Sequence, residues 1–382
     1  MAIPRKTEQR LTRCGPGEGV STTSSRGQPE SKFLSAIGGA AATIASRPVG
    51  FNRRVRDVGA AALFRLFDAD RALAAARRRG ARRVATAWIR GLGDVASILN
   101  EFVRYVGERL PGAEVTLLVR PGLEDACRWI DGVHRVAPVG EWSRELTLHS
   151  PWGLAFPPPW EIRRAARRLG IEIDAVIPYP LGMWYDREPE RRRPFLRASA
   201  AERRFGRDFV DAAFPERPRF LITLNAHIGT GAFYDFDREW GIDRFATLAG
   251  LILAEVPESR LILVDAEQMP GLPADPRIVD ARGRLTVSQS VAVIAASDLF
   301  VGLDAAAANL VYFLDDVSLD LVVLLLPSRT SFFMPLRRPP ASPGVRLTPI
   351  VAGGEDLWTI TPEMVLKAVR TIYESRRPRC RA

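Results

Sequence analysis

From residue 83 onward, short apolar runs bounded by turn residues alternate with amphipathic segments, and this alternation most constrains the fold. Arg83–Ile89, Glu114–Val119, Val133–Pro138 and Ile173–Ile177 read as strands. Asp94–Leu110, Leu123–Ile130, Trp160–Leu169 and Ala198–Ala213 read as helices. After the proline-bearing joint 214–219 the pattern restarts. Strands are expected at Phe220–Leu224, Arg260–Val264, Ile278–Asp280, Leu299–Gly302 and Leu319–Leu326, and helices at Ile242–Ala254, Val287–Ala296, Ala305–Leu314 and Thr361–Tyr373. Strand–helix alternation means parallel βαβ units, hence α/β sheets covered on both faces. The expectation is two Rossmann-like, doubly wound domains facing across a cleft. Residues 1–55 form a disordered basic tail, 56–214 the first domain, 215–360 the second, and 361–382 a closing helix with a basic end. Ligands of such sheets lie outside the carboxyl ends of the strands, which puts the site in the cleft.

The net charge of +10 suggests a polyanion partner, but its distribution argues otherwise. Residues 1–55 and 375–382 hold the whole excess, leaving 56–374 with 41 basic and 41 acidic residues. A neutral body speaks against nucleic acid. Residues 56–79 read as an Ala/Arg-rich helix that either lies on an anionic membrane or packs on the domain edge, the commoner arrangement. Cys14, Cys127 and Cys380 imply no disulfide framework, and His134, His149 and His227 have no metal-ligand spacing, so neither a metal nor a cofactor is expected. No apolar run approaches the roughly 20 residues of a membrane span. A cytoplasmic chain, peripheral at most on the inner membrane face, is expected.

Four turns at strand ends carry candidate chemistry. The first, Gly91-Leu92-Gly93-Asp94, joins a strand to a helix and exposes backbone amides. Asp94 there is either a general base or a helix cap, and capping is the commoner fate of such an Asp. With Ala96 the same turn reads as a G-x-G-x-x-A dinucleotide fingerprint, with Arg120 at the next strand end to meet a 2′-phosphate. The second turn, Asp304 through Asn309, enters another helix, and the amides of Ala305, Ala306 and Ala307 suit a diphosphate. Asp304 there is a sugar-hydroxyl ligand or an ordinary N-cap. In the third, Arg238 is a phosphate clamp or an exposed charge. In the fourth, Glu267 is a ribose acceptor or a solvated acid. Trp142, Trp152, Trp160 and Trp184, with Pro157–Pro159, Tyr179 and Tyr185, form an acceptor-facing wall or simply cover the first core.

Together these turns resemble glycosyltransferase family 9, the ADP-heptose lipopolysaccharide heptosyltransferases, over residues 83–373. The matching segments are Ile89-Arg90-Gly91-Leu92-Gly93-Asp94-Val95, Leu110-Pro111-Gly112-Ala113-Glu114-Val115, Arg238-Glu239-Trp240, Asp265-Ala266-Glu267 and the ungapped block from Leu285-Thr286-Val287 to Asp304. The resemblance implies a GT-B fold, Asp94 as catalytic base, Arg238 on the donor phosphates and Glu267 on the donor nucleoside. It implies inverting, metal-independent transfer of a sugar, by default heptose, from a nucleotide-diphosphate donor to a hydroxyl of a glycan or glycolipid such as lipopolysaccharide core. The family continues Asp-(Ser/Thr)-Gly-x-x-His, whereas this chain reads Asp304-Ala305-Ala306-Ala307-Ala308-Asn309. The lost hydroxyl, glycine and histidine leave open a non-catalytic binding or scaffold protein. An NADP-dependent oxidoreductase is the further alternative.

Overall fold

The computed structural model describes residues 65, 67–143, 156–179, 195–226, 239–266, 274–330 and 333–376. Every strand ladder is parallel. The first sheet contains β1 (Arg83–Trp88), β2 (Glu114–Val119), β3 (Val133–Pro138) and β4 (Ala175–Val176) in the order β3-β2-β1-β4. Its helices are α1 (Ala69–Arg78), α2 (Asn100–Arg109), α3 (Glu124–Arg128) and α4 (Pro159–Arg168). Helix α5 (Ala200–Ala213) leads into the second half. There β5 (Phe220–Asn225), β6 (Ser259–Leu263), β7 (Ile278–Asp280), β8 (Leu299–Leu303), β9 (Ser318–Leu325) and β10 (Gly344–Val351) run β10-β9-β8-β5-β6-β7. Helices α6 (Ile242–Glu255), α7 (Val287–Ala295), α8 (Ala306–Tyr312) and α9 (Pro362–Arg376) complete it. Strand order reverses between β1 and β4 and again between β5 and β8, and those reversal points locate ligand crevices in open sheets.

The apolar pattern explains the layers. All six residues of β5, and every residue of β9 after Ser318, are buried, as strands covered on both faces must be. Helix α4 seals one face of the first sheet, packing Ile162, Ala165 and Ala166 against Ala85, Ala87 and Leu118. Helices start where the side chains dictate. Ser199 with Glu202 and Thr286 with Gln289 form capping boxes at α5 and α7. Asp68 accepts from the Arg71 amide at the start of α1, whose Leu73 and Ala76 join the main core, so the described part of that helix packs on the domain edge.

Two differences from the sequence reading have local causes. The strand β10 was not anticipated, because Arg346, Thr348 and Pro349 interrupt its apolar pattern. It tolerates them as an edge strand paired with β9 alone. The single helix expected over Asp94–Leu110 begins with one π-helical turn, Val95–Leu99, before α2. Such turns are frequent at functional sites.

The halves share one core, in which Val95 and Leu99 of the first pack with Ala308 and Val311 of the second. Leu196 bridges Ile130 on one side and Leu314 on the other. Helix α5 lies against α7 so closely that a β-carbon on Gly206 would stand 2.1 Å from the Ala292 carbonyl oxygen. Glu101 of α2 accepts a 2.9 Å bond from Nε of Arg338, which precedes β10, and both side chains are almost wholly buried.

Candidate functional site

The turns that follow β1 and β8 meet. A β-carbon placed on Gly93 would lie 3.3 Å from Cα of Ala306 and 3.5 Å from Nδ2 of Asn309. The glycine there is needed for close approach of two backbones, one from each half. The carboxyl edges of both sheets therefore converge on one place.

Asp94 occupies the N-cap position of the π-helical turn, yet its side chain makes no capping hydrogen bond. The common structural role for an Asp at this position is not the one it plays. Its Oδ2 stands 3.9 Å from Nε of Arg90, and more than a third of the side chain is exposed. Gly91 makes room for it, since a β-carbon there would meet Oδ2 at 3.2 Å. A partly exposed carboxylate at the rim of a crevice is chemically able to take a proton from a hydroxyl.

Asp304 is not the N-cap that the sequence allowed. The N-cap of α8 is Ala305, with extended φ and ψ and no side-chain cap, so Asp304 lies one residue before the cap. Its Oδ2 accepts from Nε of Arg329 at 3.1 Å, and the residue is 8% exposed. The Ala305 amide is committed to the Leu303 carbonyl at 2.7 Å. Of the three amides anticipated for a diphosphate, those of Ala306 and Ala307 open the first turn of α8, where amides have no intrahelical acceptor. Asn309 turns its Nδ2 back onto the Ala305 carbonyl at 3.0 Å. Arg238 and Glu267 lie outside the described residues, as do His149, His227, Trp152, Trp184 and Tyr185.

The sequence reading missed a polar cluster at the ends of β5, β6 and β7. Asn225 Nδ2 donates to the Val264 carbonyl at 2.9 Å and to the Asp265 carboxylate. The other Asp265 oxygen accepts from the Ala226 amide. Because both partners of the Asn225 amide nitrogen are acceptors, the orientation of that amide is fixed, and its Oδ1 is buried with no hydrogen-bond partner among the described residues. Gly302 on β8 accommodates this arrangement: a β-carbon would stand 2.5 Å from the Phe300 ring and 3.2 Å from Cβ of Asn225. Arg282 grips Asp280 through Nε and Nη2 at 2.8 and 2.7 Å. That side-chain bond holds the Asp280 carboxyl below its ordinary range and raises the guanidinium further. The signal was present in the sequence: each of these apolar strands ends in, or is closely followed by, Asn or Asp.

Other candidates take structural roles. Trp142 and Tyr179 are buried, Tyr179 stacking edge-on against Trp88 and Phe102. Trp240 is fully buried and donates to the Ile360 carbonyl at 2.7 Å. Arg120 donates to the backbone carbonyls of Arg90 and Pro121, at 3.3 and 3.1 Å. His134 Nδ1 accepts from the Val115 amide. Cys127 is buried, and desolvation raises its thiol pKa well above the ordinary range. Among the described residues no three His, Cys, Asp or Glu side chains cluster as metal ligands, and no helix is long and apolar enough to cross a membrane.

No protein-family model matches the chain, and no curated protein matches it by sequence. Solved structures match it in shape. A glycosyltransferase family 9 protein from Veillonella parvula superposes with a TM-score of 0.53 at 14% identity, over 77% of this chain and 97% of that one. The E. coli ADP-heptose lipopolysaccharide heptosyltransferase II superposes with a TM-score of 0.52 at 17% identity, over 78% of this chain and 100% of that one. At these identities the likeness establishes the fold, two Rossmann-like halves in the GT-B arrangement.

Proposed function

We propose that this chain is a glycosyltransferase that moves a sugar from a nucleotide-diphosphate donor to a hydroxyl of a glycan or glycolipid acceptor. The observation that carries this reading is the meeting of Gly93, the residue before Asp94, with the first turn of α8, at the convergent carboxyl edges of two parallel sheets. The shared fold of the two family 9 structures supports it.

In this reading the acceptor hydroxyl lies against Asp94. The carboxylate takes the hydroxyl proton as the oxygen attacks the anomeric carbon from the face opposite the nucleotide. The bond from that carbon to the phosphate oxygen breaks, and its electron pair leaves with the nucleoside diphosphate. A base of this kind contributes about 10²–10⁴-fold. Charge growing on the diphosphate is met by the amides of Ala306 and Ala307 and by Arg238, an electrostatic contribution that is commonly the larger one. Asp304, held by Arg329, orients a sugar hydroxyl, and Glu267 takes the nucleoside. Heptose and lipopolysaccharide core are the family's default donor sugar and acceptor.

The test is a thermal-shift screen of the full chain against nucleoside diphosphates and nucleotide sugars, followed by product detection with a hit. A ligand that binds only the native state raises the melting temperature. Release of nucleoside diphosphate that depends on acceptor and on Asp94 is the expected result. No nucleotide binding at all would end the reading. A second reading, a binding protein without turnover, is favoured by one observation: Ala306 places a methyl-bearing residue directly against Gly93. Diphosphate affinity without any transfer would select it.

A further inference from the structure

The turn from β8 into α8 has the wrong charge for the ligand assigned to it. Residues 305–308 are all alanine, and Asn309 spends its Nδ2 on the Ala305 carbonyl at 3.0 Å. The stretch from 304 to 309 therefore holds no side-chain cation, and its one charged group is the Asp304 carboxylate. A nucleoside diphosphate brings further negative charge. Like charges repel more strongly in a crevice than in bulk water, so this turn needs a cation from elsewhere.

The neighbouring strand supplies one. Strand β9 lies beside β8, with Leu324 opposite Leu303. Just beyond its end, the 3₁₀ turn Pro327–Arg329 brings Nε of Arg329 to 3.1 Å from Oδ2 of Asp304. That turn has its own supports. The Arg329 amide donates to the Leu326 carbonyl at 3.0 Å, the Thr330 hydroxyl to the Pro327 carbonyl at 2.8 Å, and the Phe333 amide to the Arg329 carbonyl at 2.9 Å. Phe333 itself is seated in the main core. The ladder between β8 and β9 already joins the two strand ends, so neither the turn nor the pairing depends on the ion pair for its shape. Nor is the pair sealed. The Arg329 side chain is 26% exposed, whereas the two side chains of the Glu101–Arg338 pair are 4% and 2% exposed. A guanidinium carries five N–H donors on different edges of one plane. Nε can hold a carboxylate while another edge meets a phosphate oxygen.

We propose that Arg329 is a diphosphate-binding residue of the crevice: its guanidinium offsets the Asp304 charge through Nε and donates to the diphosphate from another edge. The end of β9 thereby provides the cation that positions 304–309 lack. This assignment rests on the glycosyltransferase reading for its ligand, though not for turnover.

The experiment is calorimetric titration of the full-length chain with ADP, UDP, GDP and CDP. Arg329→Gln is expected to weaken the nucleoside diphosphate that binds by about ten- to a hundredfold. Arg329→Lys keeps the charge but not the planar fork, and is expected to recover part of that loss. The deciding variant combines Asp304→Asn with Arg329→Gln. It leaves two neutral side chains able to hydrogen-bond, so no charge is stranded and the fold is kept. Its affinity is expected to stay as low as that of Arg329→Gln. Recovery of the unaltered affinity in the double variant would mean that Arg329 only screens Asp304, and would overturn the proposal. Unchanged affinity in Arg329→Gln would also overturn it, with the donor reading left standing. If the unaltered chain binds none of these nucleotides, both fall. Affinity lost in Arg329→Gln and not regained in the double variant, with no transfer by the unaltered chain, would uphold the proposal and select the binding protein without turnover.

Discussion

The turn after β1 and the turn after β8 are built alike, each leading from a buried parallel strand past an Asp into a helix, yet their acids are held differently. Asp304 is 8% exposed and fastened to Arg329. Asp94 makes no cap bond, is approached among the described residues by Arg90 at 3.9 Å, and leaves more than a third of its side chain exposed. A buried, paired carboxylate contributes to stability and geometry. A carboxylate without such duty can change protonation during a reaction at little structural cost. In the proposed reaction this contrast divides the labour between the halves: one positions, the other reacts.

The largest expected effect tests that division directly. Asp94→Asn should lower transfer by about 10²–10⁴-fold while the melting temperature stays put, since no capping bond is lost. A variant that melts early with normal turnover would place Asp94 in the same class as Asp304. Next, Asp304→Ala leaves Nε of Arg329 without its carboxylate. Urea titration should show a loss of about 2–3 kcal/mol. Gly93→Ala puts a methyl 3.3 Å from Cα of Ala306 and should separate the two turns. Diphosphate affinity should fall about tenfold, with a stability loss near 1 kcal/mol, read by calorimetric titration and melting. The smallest effect concerns the neighbouring strand end. The Asp280 carboxyl is depressed by its bond to Arg282, so its contribution is present above the ordinary carboxylate range and is lost as pH falls through its folded value. Asp280→Asn should flatten the acid limb of the stability profile below about pH 4 by no more than about 1 kcal/mol.

The strand ladder was legible because runs such as Phe220–Leu224 and Leu319–Leu326 must be buried on both faces, and nothing but a parallel sheet does that. The edge strand β10 was not, because a strand half-open to water keeps Arg346 and Pro349 and loses the pattern. The Gly93–Asp94 and Asp304–Asn309 turns could be picked out, since glycine and acid at a strand end stand out locally. Their contact could not be read from spacing, because it depends on how α8 packs across the shared core. The Asn225–Asp265 pair was equally invisible: the partners are 40 residues apart and meet only when β5 and β6 align. The π-helical turn at Val95–Leu99 has no sequence signature at all.

The ion pair between Glu101 and Arg338 has a mechanical consequence. A jaw-like swing of the two halves would drag both charges into an incomplete environment, at a cost of several kcal/mol. A hinge motion that spared this pair would avoid that cost, whereas one that parted it would have to meet the cost from ligand binding.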